Sequence, residues 1–159
     1  MSSSSVPHLP AAPSSERLPH LDIPSLRALC VEDHDDTREM IAELLELDGF
    51  EVETAATLRD AMRVFERGRA FDLVLTDYMM PDGSGTELLD AARAGGHLGD
   101  ARLVLFTAHP APPRPENTLV IRKPLEVDSF LRMINELVST RAPHGGPVTC
   151  AVTDEVRDG

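Results

Sequence analysis

The sequence predicts a doubly wound α/β domain: a five-stranded parallel sheet between two layers of helices, a three-layer sandwich. Two observations carry this reading. Five short apolar runs alternate with stretches of helical periodicity, the signature of βαβ units. Four of the five runs are continuously apolar, as strands buried on both faces must be. The right-handed crossover rule then sends helices to both sides of the sheet.

Each element has its own signal. "LRALCV" is the first apolar run. Residues 35–48 then place Met40, Ile41, Leu44 and Leu45 at helical spacing, and Gly49 supplies a stop. "FEVET" alternates like a strand. Over 57–67, Leu58, Ala61, Met62 and Phe65 share one helical face. "FDLVLT" is a strand rich in β-formers, and "GTELLDAARA" is a short helix closed by Gly95 and Gly96. "ARLVLFT" and "TLVIR" are the last two strands. Val127, Phe130, Leu131, Ile134, Leu137 and Val138 outline the final helix.

The 159 residues suffice for one domain with tails. Residues 1–25 hold a run of serines and five of the thirteen prolines and read as a disordered arm. Residues 141–159 read as a disordered tail, leaving 26–140 as the domain. Hydrophobic residues make up 42% and charged residues 26%, ordinary values for a globular chain. The net charge of −12 argues against a nucleic-acid surface. No apolar run has the length of a membrane span, and the N-terminus lacks a secretory pattern. Cys30 and Cys150 do not form a disulfide framework, so a reduced, cytoplasmic location is expected. The histidines show no ligand spacing that would suggest zinc.

Function is suggested by where the polar residues fall. Glu32 and Asp33 follow the first strand, Asp77 the third, Thr107 ends the fourth, and Lys123 follows the fifth. In open α/β sheets the carboxyl ends of strands form the ligand crevice, so all five should meet there. Three carboxylates in one pocket require a counter-charge. Oxygen ligands without a His or Cys cluster point to Mg²⁺, which keeps a place for a phosphate oxygen. Asp77 is then a candidate nucleophile for phosphoryl transfer, Thr107 a hydroxyl donor and Lys123 a cation. Lys123 is the single lysine, every other basic side chain being arginine. A compact ammonium on a slender stem suits a narrow pocket that the planar guanidinium fork does not. Pro124 directly after it is a place where a cis bond can occur.

Together "LCVEDHDD", "LVLTDYMMPDGSG", "LVLFTA" and "IRKP", in that order, resemble the receiver (CheY-like) domain of bacterial two-component response regulators. The resemblance covers about residues 26–140. It implies a flavodoxin-like sheet of order 2-1-3-4-5. It implies Asp77 as phosphoacceptor, Mg²⁺ held by Asp33, Asp77 and the Met79 backbone carbonyl with Glu32 assisting, and Thr107 and Lys123 on the phosphoryl group. The implied donor is a histidine kinase or histidine phosphotransfer protein. The residues outside the match are too few for an effector domain and neither tail reads as a helix-turn-helix, so the expected output is contact with an unknown downstream protein or relay of the phosphoryl group, without nucleic acid or membrane.

Two departures stand out. The position three before the lysine, usually an aromatic switch, is Val120. The crossover between the fourth and fifth strands, residues 108–117, holds Pro110, Pro112, Pro113 and Pro115. Such density forbids a regular helix, so the fourth helix should be missing or reduced to a turn. The expectation is a stand-alone receiver that is not an enzyme beyond its own phosphorylation and dephosphorylation. The alternative is a pseudo-receiver, an unphosphorylated binding scaffold. A hydrolase of the aspartyl-phosphate type is disfavoured because Met79 stands where such enzymes place a second acid.

Overall fold

The computed structural model describes residues 25–139. The arm expected over 1–25, save Ser25, and the tail expected over 141–159 fall outside the described residues, as does Cys150. The elements are β1 (Leu26–Val31), α1 (Asp35–Leu47), β2 (Phe50–Ala55), α2 (Leu58–Glu66), β3 (Leu73–Asp77), β4 (Met79–Met80), β5 (Gly83–Ser84), α3 (Gly85–Ala94), β6 (Arg102–Thr107), β7 (Thr118–Arg122) and α4 (Val127–Ser139). The main sheet runs β2-β1-β3-β6-β7, with all its pairings parallel. Numbered by its own strands, that is the expected order 2-1-3-4-5.

Alternation along the central strands divides the core. Leu29, Val31, Val74 and Leu103 pack with Phe65, Leu88 and Leu89 beneath α2 and α3. Ala28, Cys30, Leu75 and Phe106 pack with Ile41, Leu45, Phe130 and Ile134 beneath α1 and α4. Neighbouring strand residues point to opposite faces, so one apolar run supplies both cores. Each large side chain fully buried this way contributes roughly 1.5–3 kcal/mol.

Local chemistry sets the helix starts. Asp35 and Asp36 lie in the first turn of α1, where carboxylates complement the helix dipole. Thr57 caps α2 by accepting from the Asp60 N–H. Ser84 and Glu87 form a reciprocal capping box on α3. Gly49 ends the first helix at φ +96°, a conformation open chiefly to glycine.

Residues 108–117 contain no helix, as their prolines require. The crossover from β6 to β7 is made by extended chain and a turn, and the described domain has four helices rather than five. The β4–β5 hairpin, with Met79 opposite Ser84 and Met80 opposite Gly83, was not expected. "MMPDGSG" reads as a turn, and the hairpin is too short to show alternation.

Candidate functional site

The carboxyl ends of β1, β3, β6 and β7 bring together the five residues singled out in the sequence. Glu32 follows β1 and is completely buried; Asp77 ends β3 and is 6% exposed; Thr107 ends β6 and is 1% exposed. Lys123 follows β7. Its ammonium lies 2.9 Å from Glu32 Oε2 and 2.8 Å from Asp77 Oδ2, and donates to both. The same nitrogen stands 4.7 Å above the Phe106 ring, whose π face favours a cation. The Lys123–Pro124 peptide is cis.

Asp77 accepts a second hydrogen bond at Oδ1 from the Met79 N–H, at 3.3 Å. The Asp77 backbone is held by close packing against the start of α3. The Gly85 N–H donates to the Tyr78 carbonyl at 2.8 Å. A Cβ at position 85 would stand 2.1 Å from the Asp77 carbonyl oxygen, so only glycine fits. Asp77 lies in register with Phe106, which puts Thr107 one step farther along the neighbouring strand. The Thr107 Oγ1 accepts from the His109 N–H at 3.0 Å, leaving its own proton available.

Glu32 and Asp33 are adjacent carboxylates with opposite tendencies. Burial pushes Glu32 above the ordinary carboxylate range, although Lys123 and the His34 N–H pull it down; Asp33 and Asp77 add to the rise. Asp33 is held below that range: slight burial would raise it, but the neighbouring Glu32 and the His34 ring outweigh this. Burial opposes the charge on Lys123, yet its contacts with Asp77 and Glu32 raise its pKa.

The donor set suits a hard divalent cation. Glu32, Asp33 and Asp77 supply three carboxyl groups, and the single Lys123 ammonium pairs with two of them, Glu32 and Asp77. Carboxylate and carbonyl oxygens are the donors a hard divalent ion takes. Among the described residues, ligand atoms of Glu32, Asp33 and His34 lie within 4.8 Å of one another.

Sequence reasoning missed His34, which it read as one of several scattered histidines. Its Nδ1 lies 3.2 Å from Asp33 Oδ1 and 3.4 Å from Glu32 Oε1. The position directly after two acids was the available signal. Also missed was Asp82, which reaches across to accept from the Leu58 and Arg59 N–H groups, both at 3.1 Å. No local pattern announces a cap supplied from a distant loop. Tyr78 and His109 meet edge to face at 5.5 Å on the rim of the site.

Residues 28–134 match the response regulator receiver domain. The chain belongs to this family. It is 33% identical over 91 residues to two-component response regulator-like APRR3 of Arabidopsis thaliana, spanning 57% of this chain and 18% of that protein. It is 32% identical over 149 residues to the virulence sensor protein BvgS of Bordetella pertussis, spanning 87% of this chain and 12% of that protein. The receiver therefore corresponds to less than a fifth of either relative. Response regulator TrrA of Thermotoga maritima, solved in complex with Mg²⁺ and BeF, superimposes with a TM-score of 0.61 at 28% identity, over 70% of this chain and 98% of that one. Receiver domains are phosphoacceptor signalling modules of two-component systems. No helix among the described residues is long and apolar enough to cross a membrane.

Proposed function

We propose that residues 26–140 form a receiver that takes a phosphoryl group on Asp77 from a histidine kinase or histidine phosphotransfer protein. It then signals through protein contact or passes the group along a relay. The observation that carries this reading is the Lys123 ammonium joined to both Asp77 and the fully buried Glu32.

In the proposed step an Asp77 oxygen attacks the phosphorus of the donor phosphohistidine. The P–N bond breaks, the imidazole leaves with that electron pair, and an acyl phosphate remains on Asp77. Lys123 moves from the carboxylates toward the incoming phosphoryl oxygens, and the Thr107 hydroxyl donates a hydrogen bond to one of them. Both interactions grow as charge develops on oxygen. Asp33, Asp77 and the Met79 carbonyl, with Glu32 assisting, would hold Mg²⁺, which supplies neutralisation of phosphoryl charge when bound. No residue of the site is placed as a second acid for turnover of external phosphate esters, since Met79 occupies that position.

The test is incubation with Mg²⁺ and a small acyl phosphate, followed by intact mass measurement. One phosphoryl increment is expected, absent in Asp77→Asn. Val120 and the missing helix favour a second reading, a pseudo-receiver that binds without phosphorylation. No increment, together with no transfer from any kinase tested, would select it.

A further inference from the structure

Arg38 lies one turn into α1 and is drawn inward. Its side chain is 17% exposed, against 65% for Arg63 and Arg67 on α2 and its end. Its guanidinium donates from Nη1 to the Glu32 carbonyl at 2.9 Å and from Nη2 to the Asp35 carboxylate. Its N–H donates to the His34 carbonyl, also at 2.9 Å. One residue thus spans the turn between β1 and α1, the turn that carries Glu32, Asp33 and His34.

The sheet itself does not reach this far. The register of β1 with β2 and β3 ends at Val31. Beyond it the Glu32 N–H still donates to the Ala55 carbonyl at 3.0 Å, and on the other side of the residue the carbonyl is taken by Arg38. A peptide unit is planar, so the Glu32 carbonyl and the Asp33 N–H turn together. Holding that plane limits ψ of Glu32 and φ of Asp33, the two torsions that aim the two carboxylates. The fork is needed because its acceptors stand three residues apart. A guanidinium spreads its donors over a plane, whereas an ammonium offers one point. The demand is the reverse of the one met by Lys123.

We propose that Arg38 is a positioning residue for the divalent cation: it sets the aim of Glu32 and Asp33 through their shared peptide without touching the ion. This deepens the reading of Glu32, Asp33 and Asp77 as the cation site and rests on it. The sign of the effect separates positioning from charge. A guanidinium repels a nearby cation, so by charge alone its removal would tighten binding. Loss of a group that orients the ligands instead weakens binding, by about tenfold or more.

The test is titration of the full chain with Mn²⁺, a hard ion that takes the same oxygen donors, read by the electron paramagnetic resonance of the free ion. Arg38→Met keeps the stem and removes the fork. It should raise the Kd for Mn²⁺ about tenfold. In ¹⁵N spectra of the metal-free variant the Asp33 and His34 amides should move or broaden while those of β3 and β6 stay in place. Arg38→Lys keeps the charge but loses the spread donors, and should raise the Kd in the same direction by less; it carries the test if Arg38→Met does not fold. An unchanged or lower Kd in a folded variant overturns the proposal, as does an unmoved Asp33 amide. If wild type binds Mn²⁺ and Asp33→Ala does not, that result overturns the role of Arg38 and leaves the cation site standing. If wild type does not bind, or Asp33→Ala binds equally well, the cation site falls and the role of Arg38 with it.

Discussion

Lys123 Nζ stands 2.8 Å from Asp77 Oδ2, joining groups 46 residues apart, and the same nitrogen reaches Glu32, 91 residues distant. One point charge thus ties together the ends of β1, β3 and β7. The pocket has room for a slender stem over Phe106, and both carboxylates converge on a single nitrogen. A guanidinium spreads its donors over a plane and cannot serve two acids at one point. The single lysine of the sequence has here a geometric reason.

Lys123→Met should therefore destabilise the domain. It leaves Glu32 buried with its principal partner gone, and removing one member of a buried pair costs about 3 kcal/mol. Lys123→Arg should recover part of the loss but not phosphorylation. Urea denaturation measures the first effect and intact mass the second. An unchanged unfolding midpoint for Lys123→Met would show that the pair carries no stability.

Gly85→Ala should damage both stability and phosphorylation. The added methyl would sit 2.1 Å from the Asp77 carbonyl and 3.0 Å from the Thr76 side chain. Relief requires α3 to back away or the end of β3 to shift. Overpacking of this kind costs about 1–3 kcal/mol, and the shift moves the residue proposed to react. Thermal unfolding together with phosphorylation rate checks this. A variant with wild-type values of both would mean that the contact relaxes freely.

The fold was legible because strands buried on both faces cannot hide: "LRALCV", "FDLVLT" and "ARLVLFT" each carry one charged residue at the second position and otherwise run apolar, the last two up to a closing threonine. The position of Glu32, Asp77, Thr107 and Lys123 at strand ends followed from the same frame, since a parallel sheet collects its carboxyl ends along one edge. The loss of a helix followed from proline geometry alone. What stayed hidden depends on three-dimensional reach. Asp82 looks like an ordinary turn residue until the hairpin aims it at α2. Phe106 reads as core, which it is, and gives no sign that its face underlies an ammonium. His34 is close to the acids in sequence, but only the turn after β1 decides that its ring folds back onto them.

Asp82 gives a pH-dependent prediction. Its slight burial would raise its pKa, but the Leu58 and Arg59 N–H groups it accepts from hold it below the ordinary carboxylate range. A depressed pKa in the folded state means stability that is complete above the unfolded value and is lost as pH falls below it. Asp82→Ala should lower stability by roughly 0.5–1 kcal/mol at neutral pH, the size of a lost helix cap. The gap from wild type should close in acid. A gap that persists unchanged at low pH would assign the loss to something other than the carboxylate.

Cys30 offers a probe of global opening. It is completely buried near the carboxyl end of β1, and burial first, then the nearby Glu32 charge, pushes its thiol up to about 12. A thiolate is the reactive form, so the native side chain has neither the access nor the charge to react. The raised pKa also fixes a sign. Below the unfolded thiol value the proton is bound in both states and nothing changes. As pH rises from about 9 to about 12 the unfolded chain loses its proton first, and the folded state loses stability. Alkylation of Cys30 with iodoacetamide, located by peptide mass, should therefore be negligible in native protein and rise steeply through the urea transition. Lys123→Met should advance that rise, because it lowers the free energy of opening without touching the cysteine. Rapid labelling of Cys30 in native protein would mean that β1 opens locally. In that case the sheet would not hold the strand ends, and with them Glu32, in the fixed arrangement that the proposed chemistry on Asp77 requires.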